Sequence, residues 1–154
     1  MTPAEKVLQS LSEWHPSGAG RHSLAVAVPG AGTVRLTADR ADALSCLVWE
    51  LGFERAAPPA GVRAWAEALA ARATGLLEPL KLLEADEARG EAVLRSTAPA
   101  QKAGAVAYYE VRLLADGRAA LARYTATPGH SGREQVAFAL THEVIAKFAA
   151  DLAA

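Results

Sequence analysis

The chain has 154 residues and a formal net charge of -1. That length suits a single domain, 1–154, able to bury about 70% of the surface its unfolded form exposes. Acids and bases are interspersed with no basic stripe, which disfavours a nucleic-acid partner. Cys46 is the single cysteine, which excludes an internal disulfide and any multi-cysteine zinc site. Residues classed as hydrophobic make up 51%, but close to a quarter of the chain is alanine, so the larger apolar residues must do most of the packing. The N-terminus lacks a basic region followed by an apolar stretch, and no apolar run nears membrane-spanning length. A cytoplasmic protein with no membrane association and no cofactor is expected.

Thr2-Pro3-Ala4-Glu5 opens the first helix. The Thr2 hydroxyl and the Glu5 carboxylate can each accept the other's backbone N–H, and Pro3 suits the first helical position, where no amide donor is needed. Val7, Leu8 and Leu11 form one stripe. The helix should stop near Trp14, since His15 precedes Pro16. Leu24, Val26 and Val28 then alternate with Ser23, Ala25 and Ala27, and Val34 and Leu36 with Thr33, Arg35 and Thr37. With the Pro29-Gly30-Ala31-Gly32 turn between them, they read as a hairpin with one buried face. Leu44 to Phe53 is apolar on both faces, the pattern of a strand covered on two sides.

A helical period covers roughly 60–77. Val62, Trp65, Ala66, Leu69, Ala73 and Leu76 share one face, and Arg63 and Glu67 lie opposite. Strands are predicted at about 80–85 and 91–97, followed by a loop over 98–104. Asp116-Gly117 suits a two-residue turn between 105–114 and 119–126. Such a turn pairs Tyr109 with Tyr124 and Glu110 with Arg123, with Glu110, Arg112 and Arg123 toward solvent. Ser131 and Glu134 read as a second capping box. The helix they start runs to about Leu152, with Ala137, Leu140, Val144, Ile145, Phe148 and Leu152 on its apolar face. The expected fold is α+β, an antiparallel twisted sheet or sheets in the order α-βββ-α-ββββ-α, with helices packed on the sheet.

Little in this order carries chemistry. His15, His22, His130 and His142 do not converge at ligand spacing, so no metal site is expected. Thr141-His142-Glu143 reads as structural, because adjacent helical residues do not face one another. Cys46 lies within an apolar strand and reads as a buried, inert thiol. Two candidate sites stand out. Gly129-His130-Ser131-Gly132-Arg133 combines backbone amides at an expected helix start with a hydroxyl and a guanidinium, so His130, Ser131 and Arg133 form a candidate anion site, although Ser131 is equally explained as a cap. Trp49 and Trp65, on the sheet and on the helix expected to cover it, read as core partners or as the walls of an apolar ligand pocket. No nucleophile–base or acid–base pair is set up, so no catalytic residue is assigned.

The leading helix (Val7, Leu8, Leu11), the three-strand meander from Leu24 to Phe53, the helix from Val62 to Leu76 and the long helix ending at Leu152 together resemble the type III secretion chaperones and similar small chaperone-like domains. The chain has four strand runs after the middle helix, where that family has two, and it is only mildly acidic. The resemblance implies a twisted sheet covered by helices, a homodimer, and an exposed apolar groove holding an extended segment of a protein partner. The function expected is a non-enzymatic protein-interaction or chaperone-like domain acting as a homodimer. The alternative is a small-ligand-binding domain with an apolar cavity between a curved sheet and the C-terminal helix.

Overall fold

The computed structural model describes residues 1–97 and 100–154. Helix α1, Pro3–Glu13, begins with the capping box expected of its sequence. The Thr2 N–H donates to Glu5 Oε2 at 2.9 Å, and the Glu5 N–H donates to Thr2 Oγ1 at 3.1 Å. Strands β1 (His22–Val28), β2 (Gly32–Ala41) and β3 (Ser45–Arg55) follow as an antiparallel meander. Helix α2 spans Val62–Arg72 and is shorter than the 60–77 period predicted. Its Gly61 cap has no side chain, and the Glu87 carboxylate takes that role by accepting the Arg63 N–H at 3.0 Å. All six apolar residues assigned to this face are buried, including Ala73 and Leu76 beyond the helix end.

Strands β4 (Leu80–Asp86) and β5 (Glu91–Ser96) form a hairpin. A short strand, β6 (Ala100–Lys102), occupies part of the loop predicted over 98–104; Ala98 and Pro99 of that loop lie outside the described residues. β7 (Ala105–Leu114) and β8 (Arg118–Ala126) form the second long hairpin, and β9 (Glu134–Val136), β10 (Phe138–Thr141) and α3 (His142–Ala153) close the chain. Among the described residues the ten strands form one sheet, antiparallel at every pairing, with the main order β1-β2-β3-β8-β7-β5-β4. The α+β class and the antiparallel sheet thus match the sequence expectation. No helix is long and apolar enough to cross a membrane among the described residues.

Three local expectations are corrected. The Asp116-Gly117 connection is a three-residue loop, not two. Gly117 takes φ +98, and its N–H donates to the Leu114 carbonyl at 3.0 Å. The register moves by one residue, so Tyr108 pairs with Tyr124, Tyr109 with Arg123 and Glu110 with Ala122. A one-residue slip exchanges the faces of a strand. Leu121 therefore enters the core, and Glu110 and Arg123 sit on opposite faces of the sheet. Second, residues 134–141 are strand, and α3 starts at His142 under a Thr141 cap, whose Oγ1 accepts the Val144 N–H at 3.3 Å. Ser131 therefore caps no helix. Third, β3 is not covered on two sides. Thr37 pairs with Glu50 but Ala38 pairs with Val48, which leaves Trp49 as an extra residue in β3. This bulge switches the inward phase from Cys46 and Val48 to Leu51 and Phe53.

The bulge also forks the sheet. β3 pairs with β8 only over Leu51–Glu54. Upstream, β3 pairs with β10, while the far end of β8 pairs with β9. All three helices lie on one side and share a single core with the inward residues of the sheet. α1 packs on α3, α3 on β3 and β10, and α2 on β4, β5 and β7. Leu69, on α2, is fully buried, while Arg63 and Glu67 are exposed and form an i,i+4 pair at 3.7 Å. Leu69→Ala should lower the unfolding free energy by about 2–5 kcal/mol through lost burial and a residual cavity. Arg63→Ala should change it by less than about 1 kcal/mol. Urea denaturation of the two variants reads both.

Candidate functional site

The side of the sheet opposite the helices carries the polar and aromatic residues that the register brings together. Its central row runs from Arg35 through Gly52 and Ala120 to Arg112 and Val93. Gly52 and Ala120 present almost no side chain, so the middle of this face is a trough of about 260 Å³. Its walls are Arg35, Glu50 and Glu54 on one side and Arg112, Arg118 and Leu114 on the other. Most wall charges are matched nearby: Arg35 lies 3.4 Å from Glu54, Arg118 lies 2.8 Å from Asp116, and Arg112 pairs with Glu91. A Cβ at Gly52 would make ordinary van der Waals contacts, the nearest being 3.5 Å to the Ala119 carbonyl. The glycine is therefore not demanded by the fold.

Beside the trough lies a buried ionic cluster. The Glu110 side chain is 4% exposed, although the sequence reading turned it to solvent. The register places it beside Arg95 on β5, whose Nη2 donates to Oε1 at 2.9 Å. The loop after β8 returns Arg133 over the same carboxylate, with two hydrogen bonds of 2.8 Å. Arg133 also donates to the Tyr108 hydroxyl at 3.2 Å and lies 3.7 Å over the Tyr124 ring. Burial opposes ionisation of Glu110, but the hydrogen bonds and charges of Arg133 and Arg95 outweigh it and hold the carboxyl below its ordinary range. The same bonds to Glu110 raise the Arg133 guanidinium above its ordinary value.

The helix start expected at the candidate anion site is absent. His130 and Ser131 are exposed in a turn that leads into a strand, so no helix N-terminus is present there. Arg133 is turned away to Glu110, which supplies the anion from within the chain. His130, Ser131 and Arg133 nevertheless line one open cleft of about 290 Å³, together with Thr125 and Thr127. The two tryptophans are separated as well. Trp65 belongs to the core, and its Nε1 donates to the Leu152 carbonyl at 3.3 Å, tying α2 to α3. Trp49 lies outside that core at the bulge, with the Arg21 guanidinium 3.5 Å over its ring.

On the helix side, the corrected register half-buries a second ion pair, Arg123 with Glu78 at 3.0 Å. The Arg123 guanidinium lies 4.3 Å over Tyr109, and Tyr109 meets Phe138 edge to face. Burial pushes the Tyr109 phenol up. The Cys46 thiol is buried and pushed up to about 11 by desolvation, which keeps it in the unreactive thiol form. His142 is buried at the start of α3, where its N–H donates to the Leu44 carbonyl at 3.0 Å. No group of histidine, cysteine and carboxylate residues could hold a metal ion among the described residues.

The two-residue turn expected at Asp116-Gly117 does not bring Glu110, Tyr108 and Tyr124 together, so this cluster lies outside the sequence expectation. The available signal was Leu121, the large apolar residue of β8, which a two-residue turn sets toward solvent beside Arg112 and a three-residue loop sets opposite Val111 in the core.

Arg133→Ala should cost about 1.5–3 kcal/mol, since it removes charge-assisted bonds from a buried carboxylate that keeps only Arg95. Ser131→Ala should be nearly silent, the reverse of the outcome for a helix cap. A carboxyl with a depressed folded pKa contributes stability that is present above its unfolded value and is lost as pH falls toward the folded value. Glu110→Gln should therefore flatten the acid limb of stability against pH, below about pH 4.5. Thermal melts of wild type and variants across that range check both statements.

Comparison of the chain with family models, curated proteins and solved structures gives no match.

Proposed function

We propose that the protein is a non-enzymatic interaction domain, chaperone-like in its use of a bare sheet face to hold an extended segment of a protein partner, and that it acts as a homodimer. One observation carries this reading. All three helices occupy one face of the sheet, and the other face keeps a trough floored by Gly52 and Ala120 at its centre. A single uncovered face is what an antiparallel sheet can present to a partner. The trough admits apolar side chains, and arginines and glutamates on both walls can meet polar groups of either sign along an extended segment. The Arg133–Glu110–Arg95 cluster stiffens the neighbouring surface, so the face is formed before a partner arrives.

A ligand cavity under the C-terminal helix has less support. Val48, Ile145, Phe148 and Leu152 fill the space between β3 and α3, each at most 3% exposed.

Gly52→Leu projects into the trough from a position where a Cβ makes only ordinary van der Waals contacts, and circular dichroism confirms that the variant folds. Wild type and Gly52→Leu, used as paired baits in extracts of the source organism, should differ: a protein retained by wild type should be lost by the variant. Mass spectrometry of bound proteins and of bound small molecules reads the result. Identical protein sets from the two baits, or a small molecule as the one species that differs, would overturn the proposal.

A further inference from the structure

The two edges of the sheet are built differently. β4, at one end, carries Lys81, Glu84 and Asp86, and its register shifts between Leu82 and Glu84. Charges and irregularities of this kind keep an edge from pairing with other chains. β1, at the other end, has no such protection. His22–Val28 contains no lysine, acid or proline, and its seven residues pair with β2 without a shift. No strand pairs with its far side among the described residues. The apolar layer is also incomplete there: α1 packs against β1, yet Leu8 and Leu24 remain half-buried at the margin of the core.

We infer that β1 is the homodimer edge, pairing antiparallel with β1 of a second copy about a two-fold axis at Ala25, so that the two sheets become one. The inference rests on the homodimer reading above and names the surface that carries it. The occupant is argued from charge and shape. An isologous pairing sets a strand against itself, so an acid or lysine at the axis would meet its like. β1 has neither. With the axis at Ala25 all seven residues overlap. On the outer face Ala25 meets the partner's Ala25, and Ser23 meets the partner's Ala27. Toward the helices Leu24 meets the partner's Val26, which extends the apolar layer across the junction. Ser23, Ala25 and Ala27 are exposed and small, so the outer-face side chains around the axis add no bulk.

The test uses Ala25→Lys and Ala25→Glu in the full chain, with circular dichroism and melting curves to confirm folding and sedimentation equilibrium at micromolar concentration to give mass. Wild type should have the mass of two subunits. Each variant alone should fall to one subunit, because like charges would face each other across the axis. An equimolar mixture of the two should return to the mass of two. A dimeric wild type with dimeric Ala25→Lys would overturn the β1 assignment and leave the homodimer reading standing. A mixture that stays monomeric would likewise overturn the pairing at Ala25. A monomeric wild type would overturn both readings. Hydrogen exchange of the unmodified chain over a dilution series gives a check free of substitutions: β1 amides should exchange faster as the dimer dissociates, and exchange independent of concentration would overturn the inference.

Discussion

Backbone hydrogen bonding along β3 is the constraint on which the rest of the structure depends. The bulge at Trp49 turns the upstream half of β3 away from β8, and the main-chain groups on both sides of that gap need partners, since burying them unpaired is costly. Residues 134–141 enter the fork and supply those partners, as β9 against β8 and β10 against β3. The Gln135 side chain donates to the Trp49 carbonyl at 3.1 Å, which satisfies the bulge itself. Much of the local geometry follows from this insertion. It places Phe138 against Tyr109, starts α3 at His142, and sets the loop before β9 so that Arg133 lies over Glu110.

The two ion pairs of the β7–β8 hairpin show how one loop residue redistributes charge. A two-residue turn would have paired Glu110 with Arg123 on one exposed face. The three-residue loop at Ala115–Gly117 separates them, and Glu110 is then buried and Arg123 half-buried, each on its own side with a new partner. A buried carboxylate holding two arginines has little stabilising surplus once desolvation is counted. Its geometric effect is plainer. The Arg133 fork is satisfied by both Glu110 oxygens and stacked on Tyr124, and that combination defines where the loop after β8 rests.

The distribution of cover gives the molecule two unequal faces and two unequal edges. On the helix side, apolar residues from every layer meet in a single core, with Trp65 bonded to the end of α3. On the other side small residues and paired charges form a surface that is polar at its rim and hollowed at its centre. The protected β4 edge and the unprotected β1 edge add a direction to this surface. In the proposed dimer, two such faces would run on from one another across β1.

Local signals in the sequence determined the elements whose causes are themselves local. The Thr2–Glu5 box starts α1, the period of Val62, Trp65, Ala66 and Leu69 marks the buried side of α2, and the alternation in 24–36 makes a hairpin, because a side chain a few residues away settles each case. Alternation was also present in Val136, Phe138 and Leu140, yet the Ser131–Glu134 spacing and the apolar residues beyond it matched a helix equally well. What decided between them was an unpaired gap between β3 and β8, which exists only once the sheet is assembled. The surroundings of the candidate residues have the same kind of cause. Arg133 bonds Glu110 because the register of β7 on β8, a long-range property, buries that carboxylate within its reach. Composition and periodicity determined that the chain makes an antiparallel sheet with helices. The tertiary structure alone decided which face stays bare, because burial is a property of the whole assembly of strands and not of any one of them.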